Sequence, residues 1–207
     1  MTKKIISTFT FDLLVVSIVL FSIFYTGCSC GSCGENENAE IPLTILKKSD
    51  QFIISRTGNE FFKKYITIDY SQSKHISPNY LMVYRFYMSE KSFVDEVIRF
   101  HVDSTGKVLT QYEVAGIPDC NANPMNCDFV VDEKIARQVA TENGLPKGIK
   151  DWKVDFIWEA KYNKYIWKII STNKETLLQD HDRAEGELIM IDPSNASVIE
   201  KESWRVN

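Results

Sequence analysis

Twice along this chain an apolar strand runs into an aspartate, a short turn and a second strand led by valine. The first instance is Asp103-Ser-Thr-Gly-Lys-Val108, entered from "DEVIRFHV". The second is Asp192-Pro-Ser-Asn-Ala-Ser-Val198, entered from "GELIMI", with one more residue in its turn. An aspartate side chain accepts from amides just beyond it, and Gly or Asn tolerates the positive φ of a tight reversal. Both stretches therefore predict antiparallel hairpins, and their shared order predicts a weak internal repeat, in which each unit carries the same succession of elements.

The flanking segments fill in those units. "YLMVYRFYM" (80–88) precedes the first hairpin and "KYIWKIIST" (164–172) the second; both read as central strands. "WKVDFIWEA" (152–160) alternates, with Trp152, Val154, Phe156 and Trp158 one way and Lys153, Asp155 and Glu159 the other, which is period two and a strand with one buried face. Each unit opens with a helical signal. Asp132 is placed to cap "EKIARQVATEN", whose Ile135, Ala136, Val139 and Ala140 share a face, and Asn143-Gly144 stops it before Pro146. In the first unit "SDQFIISRTGNEFFKKYI" (49–66) offers Phe52, Phe61, Phe62 and Tyr65 as a face, but Gly58 and the pair Ile53-Ile54 weaken the helix. Helix followed by three or four antiparallel strands, twice over, predicts an α+β fold of two similar units, 45–118 and 131–207.

The N-terminus belongs to a different regime. "MTKK" supplies positive charge, and Leu13–Tyr25 is an apolar run spanning roughly 20 Å as helix, short of the ~30 Å hydrocarbon core. It reads as a signal peptide (1–27) rather than a permanent span. The run ends in Tyr25-Thr26-Gly27-Cys28, which resembles the lipobox of bacterial lipoproteins; Tyr25 departs from the usual leucine-like residue. That resemblance implies cleavage before Cys28, a diacylglycerol thioether on its sulfur, and anchoring to membrane lipid. The polar, acidic residues that follow (28–44) would serve as a flexible tether. Ser29 is compatible with sorting to the outer membrane in preference to the inner. The folded part would then face the periplasm or the exterior, where disulfides are allowed.

Four further cysteines need a reading. Cys30 and Cys33 have C-x-x-C spacing, which in other settings poises a thiol or holds half of a metal site. Here they sit in small, glycine-rich, aperiodic sequence, so tether is favoured over metal or redox centre; they either pair with each other or carry nothing. Cys120 and Cys127 enclose the Asn- and Pro-rich loop of a linker (119–130), and in an exported chain they read as a disulfide contributing roughly 2–3 kcal/mol by loop closure.

The second unit, "DEKIARQVATENGLPKG" through "GELIMIDPSNASVIEKE", resembles PepSY domains in its short helix, aromatic strand and aspartate-turn-Val/Ile hairpin, and "HVDSTGKVL" repeats that ending in the first unit. The resemblance covers most of 45–203. It implies a non-enzymatic module of secreted or membrane-linked bacterial proteins, some of which act as protease-inhibiting propeptide parts, and it transfers no catalytic residue and no cofactor.

The residues themselves point the same way. His75 lies in a polar loop, His101 stands two residues from Asp103 on a strand, and His181 is flanked by Asp180 and Asp182 in "LLQDHDRAE". His101–Asp103 reads as a surface pair before a catalytic dyad, and His181 as a solvated loop residue before a metal ligand. No nucleophile elbow, zinc-helix motif or phosphate-cradling glycine loop occurs. A formal net charge of -4 without basic blocks excludes an electrostatic footprint for nucleic acid. Among the aromatics, Trp204 is the best candidate for an exposed one. The expectation is a membrane-tethered lipoprotein that binds a protein or peptide without turnover. The alternative is an inhibitor or immunity lipoprotein that plugs a hydrolase with "DCNANPMNC" or "LLQDHDRAEGE".

Overall fold

The computed structural model describes residues 41–177 and 182–206. The expected signal peptide (1–27), the expected lipidation site Cys28, the pair Cys30 and Cys33, and His181 lie outside the described residues. The chain is α+β, with helices α1 (Leu43–Thr57), α2 (Asn59–Tyr65) and α3 (Glu133–Glu142) and two four-stranded antiparallel sheets.

The first sheet is built around the long strand β3 (Asn79–Tyr87). On one side β4 (Asp95–Val102) pairs with its whole length, from Tyr80↔Val102 to Tyr87↔Asp95. On the other side two short strands lie end to end, β1 (Ile66–Ile68) against 84–86 and β2 (Lys74–Ile76) against 79–81. They act as one interrupted strand. At the interruption the Ser73 hydroxyl stands in for a main-chain acceptor, accepting from Val83 N–H at 2.9 Å, and donates at 3.1 Å to Val83 O, which also accepts from Asp69 N–H at 2.9 Å. Asp69 closes the intervening turn by accepting from Ser71 and Gln72.

Gly58 does more than weaken the first helix. Its φ of +83° ends α1 and α2 starts at the next residue, so the expected segment divides in two. The anticipated aromatic face survives the break: Phe52 meets Phe100 edge-on at 5.2 Å, Phe61 meets Phe86 at 5.5 Å and Phe62 meets Tyr84 at 6.4 Å. Ile53 is fully buried on the same side, and the Tyr84 hydroxyl donates to Asp50 at 2.8 Å.

After the first hairpin, the expected valine-led strand does not form a ladder. Only the bridges Val102↔Val108 and Arg99↔Ala115 remain, because a turn closed by Tyr112 N–H on Leu109 O at 3.1 Å diverts the chain between them.

The second sheet has the order β5 (Lys153–Glu159), β6 (Lys164–Leu177), β7 (Asp182–Ile191), β8 (Val198–Val206). Helix α3 lies on one face. Its cap is as expected: Asp132 Oδ1 accepts from Ile135 N–H at 2.8 Å, and Leu145 N–H returns to Ala140 O beyond the Asn143-Gly144 stop. Ala136 and Ala140 are buried and Val139 packs beside them. Ile135, expected on that face, points outward at 40% exposure, because the small alanines set the contact line and rotate it away.

One apolar core runs from α1 through the first sheet into the second. Its bridge is aromatic: Phe86 of β3 lies 5.5 Å from Tyr165 of β6, Phe129 touches both, and Phe93 meets Phe156 and Trp167. Polar ends of these rings find partners, Tyr165 Oη donating to Gly116 O at 2.9 Å and Trp167 Nε1 to Val131 O at 2.8 Å. The opposite face of the second sheet carries a smaller cluster of Ile166, Leu188 and Met190, with Tyr162 and Trp204 at its margins.

Candidate interaction surface

Strand β5 stops pairing at Lys153↔Ile170, and β6, β7 and β8 continue past it as a three-stranded ribbon. The change of geometry at the base of this ribbon is local and specific. Ile149 N–H donates to Thr172 O at 2.8 Å where β5 leaves off, and the β6–β7 register slips between Thr172 and Lys174. Opposite the slip stands Gly186; a Cβ there would fall 1.9 Å from Ser171 O. Trp204 crosses over this glycine and donates its indole N–H to Ser171 O at 3.1 Å. Trp204 is thus half-buried, against its expected exposure, because its polar end has a main-chain partner two strands away.

Beyond this point the ladder carries Lys174↔Glu185, Thr176↔Arg183 and Glu185↔Arg205, so Lys174, Thr176, Arg183, Glu185 and Arg205 share one face. With Ala184 and Val206 they line a groove of about 310 Å³. Arg205 pairs with Glu185 at 2.9 Å and Lys201 with Glu187 at 3.2 Å. Among the described residues Lys174 and Arg183 make no ion pair, which leaves the groove cationic on a chain of net charge -4. A second groove is lined by Asn173, Gly186, Ser203 and Trp204 together with Glu185, Glu187 and Arg205. Such a surface can make charge-assisted contacts to acidic groups.

The loop between Cys120 and Cys127 is the second exposed feature. The two cysteines stand at disulfide-forming distance with Cα atoms 5.4 Å apart. The loop is tied to the end of α1: Asn121 N–H donates to Arg56 O and its side chain to Ser55 O, each at 2.9 Å. These bonds satisfy carbonyls that the helix end leaves without partners. A 3₁₀ turn (Pro124–Cys127) then presents Met125 to solvent.

The histidines are dispersed. His75 rests on Tyr80 at 4.7 Å and His101 on Tyr112 at 4.5 Å, on opposite faces of the first sheet. His101 Nδ1 is buried without a partner, while Asp103 Oδ1 closes its turn by accepting from Thr105 and Lys107 amides. Those bonds hold the Asp103 carboxyl below its ordinary range, its hydrogen bond from the Thr105 hydroxyl being the largest cause. No group of three or more metal-ligating side chains occurs among the described residues. Nor is any described helix long and apolar enough to cross a membrane.

One titratable residue escaped the sequence reading. Glu96 lies on the inward-facing side of β4, between Val94 and Ile98 and opposite Phe86. Burial, then the neighbouring Asp95 charge, pushes its carboxyl up to about 7. The signal was available in the strand alternation, where Glu96 takes a position that Val94, Ile98 and Phe100 mark as inward.

Comparisons with protein-family models, with curated proteins and with solved structures each return no match.

Proposed function

We propose that the chain is a cell-envelope lipoprotein, held to membrane lipid through acylated Cys28, whose tandem PepSY-like units form a non-catalytic binding module for a protein or peptide. Support for the repeat comes from the two hairpins. Asp103 accepts from Thr105 N–H and Oγ1, and Asp192 from Ser194 N–H and Oγ, at 2.7–2.9 Å in both turns. The sheets also share an order: β1 with β2, β3, β4 and the 108–115 bridges correspond in sequence to β5, β6, β7 and β8.

The observation that carries the binding reading is the ribbon, where three strands continue past β5 and present charged side chains instead of a core. A sheet surface that offers charged side chains to solvent suits recognition without turnover. The test is the intact mass of the N-terminal peptide from membrane-extracted protein, followed by envelope crosslinking with wild type and an Arg183→Glu/Arg205→Glu variant. A peptide starting at Cys28 with acyl mass, together with a crosslinked partner lost in the variant, supports the proposal. An unmodified peptide starting elsewhere removes the anchor, and a partner retained by the variant removes the ribbon.

One observation favours the inhibitor reading as a second possibility: the 120–127 loop is clamped at its base and holds Met125 outward at 44% exposure. Shortening that loop abolishes binding to a hydrolase if this reading holds and leaves it intact otherwise.

A further inference from the structure

The second sheet ends in two edges, β5 and β8. Among the described residues no main-chain hydrogen bond reaches the outward side of β5. Its ladder partners all lie on β6, and the remaining bond, Tyr162 N–H to Glu159 O at 3.1 Å, closes the turn between those two strands. An open edge of this kind is a template for another strand, and natural sheets blunt such edges with bulges, proline or like charges. The run Lys153–Glu159 contains no proline, no glycine and no register shift.

What can pair with it follows from symmetry. Two copies that join edge to edge in antiparallel fashion are related by a two-fold axis perpendicular to the sheet, and the same patch serves both. The axis must pass through a residue, since paired side chains share a face. Centring it on Phe156 pairs the whole strand: Lys153 opposes Glu159 of the second copy at both ends, Val154 opposes Trp158, and Asp155 opposes Ile157. No like charges stand directly opposite. Asp155 approaches its own counterpart diagonally, but Lys153 of the same chain already holds it at 2.9 Å. Moving the axis to Asp155 sets that carboxylate against itself, and moving it to Ile157 sets Asp155 against Glu159. One long register is therefore self-complementary and its neighbours are not.

The other edge behaves oppositely. On β8 an axis at Glu202 opposes that residue to itself, one at Ser203 opposes Lys201 to Arg205, and one at Lys201 opposes Glu200 to Glu202. Its charges oppose the three central registers, whereas those of β5 admit the longest one.

We propose that this chain forms a two-fold dimer in which β5 pairs antiparallel with β5 of a second copy, centred on Phe156, to give a continuous eight-stranded sheet. The inference is independent of the anchor and of the binding function. In it, Lys153–Glu159 pairs close both ends of the new ladder, and the Val154–Trp158 contacts extend the apolar face across the axis.

The experiment is sedimentation of the full chain in detergent solution over a wide concentration range, for wild type, Lys153→Glu, Glu159→Lys and the double variant. Lys153 is exposed and Glu159 half-exposed at the strand ends, and circular dichroism verifies that each variant is folded. Wild type shows a monomer–dimer equilibrium. Each single variant weakens it by about tenfold or more, because like charges then meet at both ends. The double variant restores opposite charges at both ends and associates more tightly than either single variant, short of wild type because Asp155 has lost its Lys153 partner. The decisive arm mixes the two single variants: opposite charges are restored at both ends, so the mixture dimerises although neither component does so at that concentration. A wild type that stays monomeric, a dimer indifferent to these substitutions, or a mixture without rescue overturns the proposal.

Discussion

The indole N–H of Trp204 donates to Ser171 O at 3.1 Å, reaching across the intervening strand over Gly186. The three residues form one device. Glycine lets β6 and β7 approach closely at the register slip, and the tryptophan of β8 covers the backbone that the missing side chain would leave bare. Gly186→Ala places a methyl group 1.9 Å from Ser171 O, a clash with backbone rather than with a movable side chain. We expect it to cost about 3 kcal/mol or more in urea unfolding. Trp204→Phe keeps the cover and removes the donor, costing about 1 kcal/mol.

The two aspartate turns make a matched pair for comparison. Asp192 accepts from Lys164 Nζ at 2.5 Å in addition to Ser194, and both partners of that ion pair are mostly buried. Burial alone would raise the Asp192 carboxyl; the Lys164 bond and the Ser194 donors together outweigh it and leave it below its ordinary range. Asp192→Ala strands the Lys164 charge and costs about 3 kcal/mol. Asp103→Ala, on an exposed turn, loses its amide bonds to water and costs less. Equal losses in denaturant titrations of the two variants would contradict this account of burial.

Glu96 sets a pH dependence. Its folded-state carboxyl is raised to about 7 from the ordinary 4.5, so folding favours the protonated form. The contribution is fully present below pH 4.5 and is lost as pH rises through about 7. After allowance for solvent screening of a half-exposed group, the loss is about 1–2 kcal/mol. Glu96→Gln should flatten stability between those limits while changing little at low pH. A wild-type profile already flat there would show that Glu96 stays charged and solvated.

A disulfide between Cys120 and Cys127, which stand at bonding distance, would act on α1 as well as on its own loop. Cys120→Ser/Cys127→Ser should lower stability by about 2 kcal/mol through the freed loop. Because Asn121 holds Ser55 and Arg56 carbonyls, hydrogen exchange should also accelerate at the last turn of α1. Unchanged protection at that turn would separate the disulfide from the helix end.

Local patterns in the chain announce several of these elements. The Asp132 cap, the Asn143-Gly144 stop and the alternation of Trp152 to Trp158 are short-range signals, and each lands within a residue or two of the observed boundary. The turn chemistry of Asp103 and Asp192 is equally local, since acceptor and donors lie within a few residues of each other. The break at Gly58 was visible only as a weakness. Whether glycine there kinks or divides a helix depends on what the two halves pack against.

The candidate surface was largely illegible. Nothing in "TNKETL" or "AEGELI" says that β6 and β7 outrun β5, or that Lys174 and Arg183 share a face with Arg205. The one-residue slip at Thr172 changes the parity of everything beyond it, and a slip arises from pairing between strands rather than from either strand alone. Trp204 misled for the same reason. A tryptophan beside an arginine at the chain end reads as exposed until a carbonyl two strands away supplies its partner.

By itself the sequence determined the α+β character, the capped helix, the two aspartate turns and the closeness of Cys120 to Cys127. All of these are set by interactions among near neighbours in the chain. Only the tertiary structure decided that both sheets share one aromatic core, that Glu96 is drawn into it, and that three strands project as a charged ribbon. Those outcomes rest on contacts between residues dozens of positions apart, whose geometry no local pattern encodes.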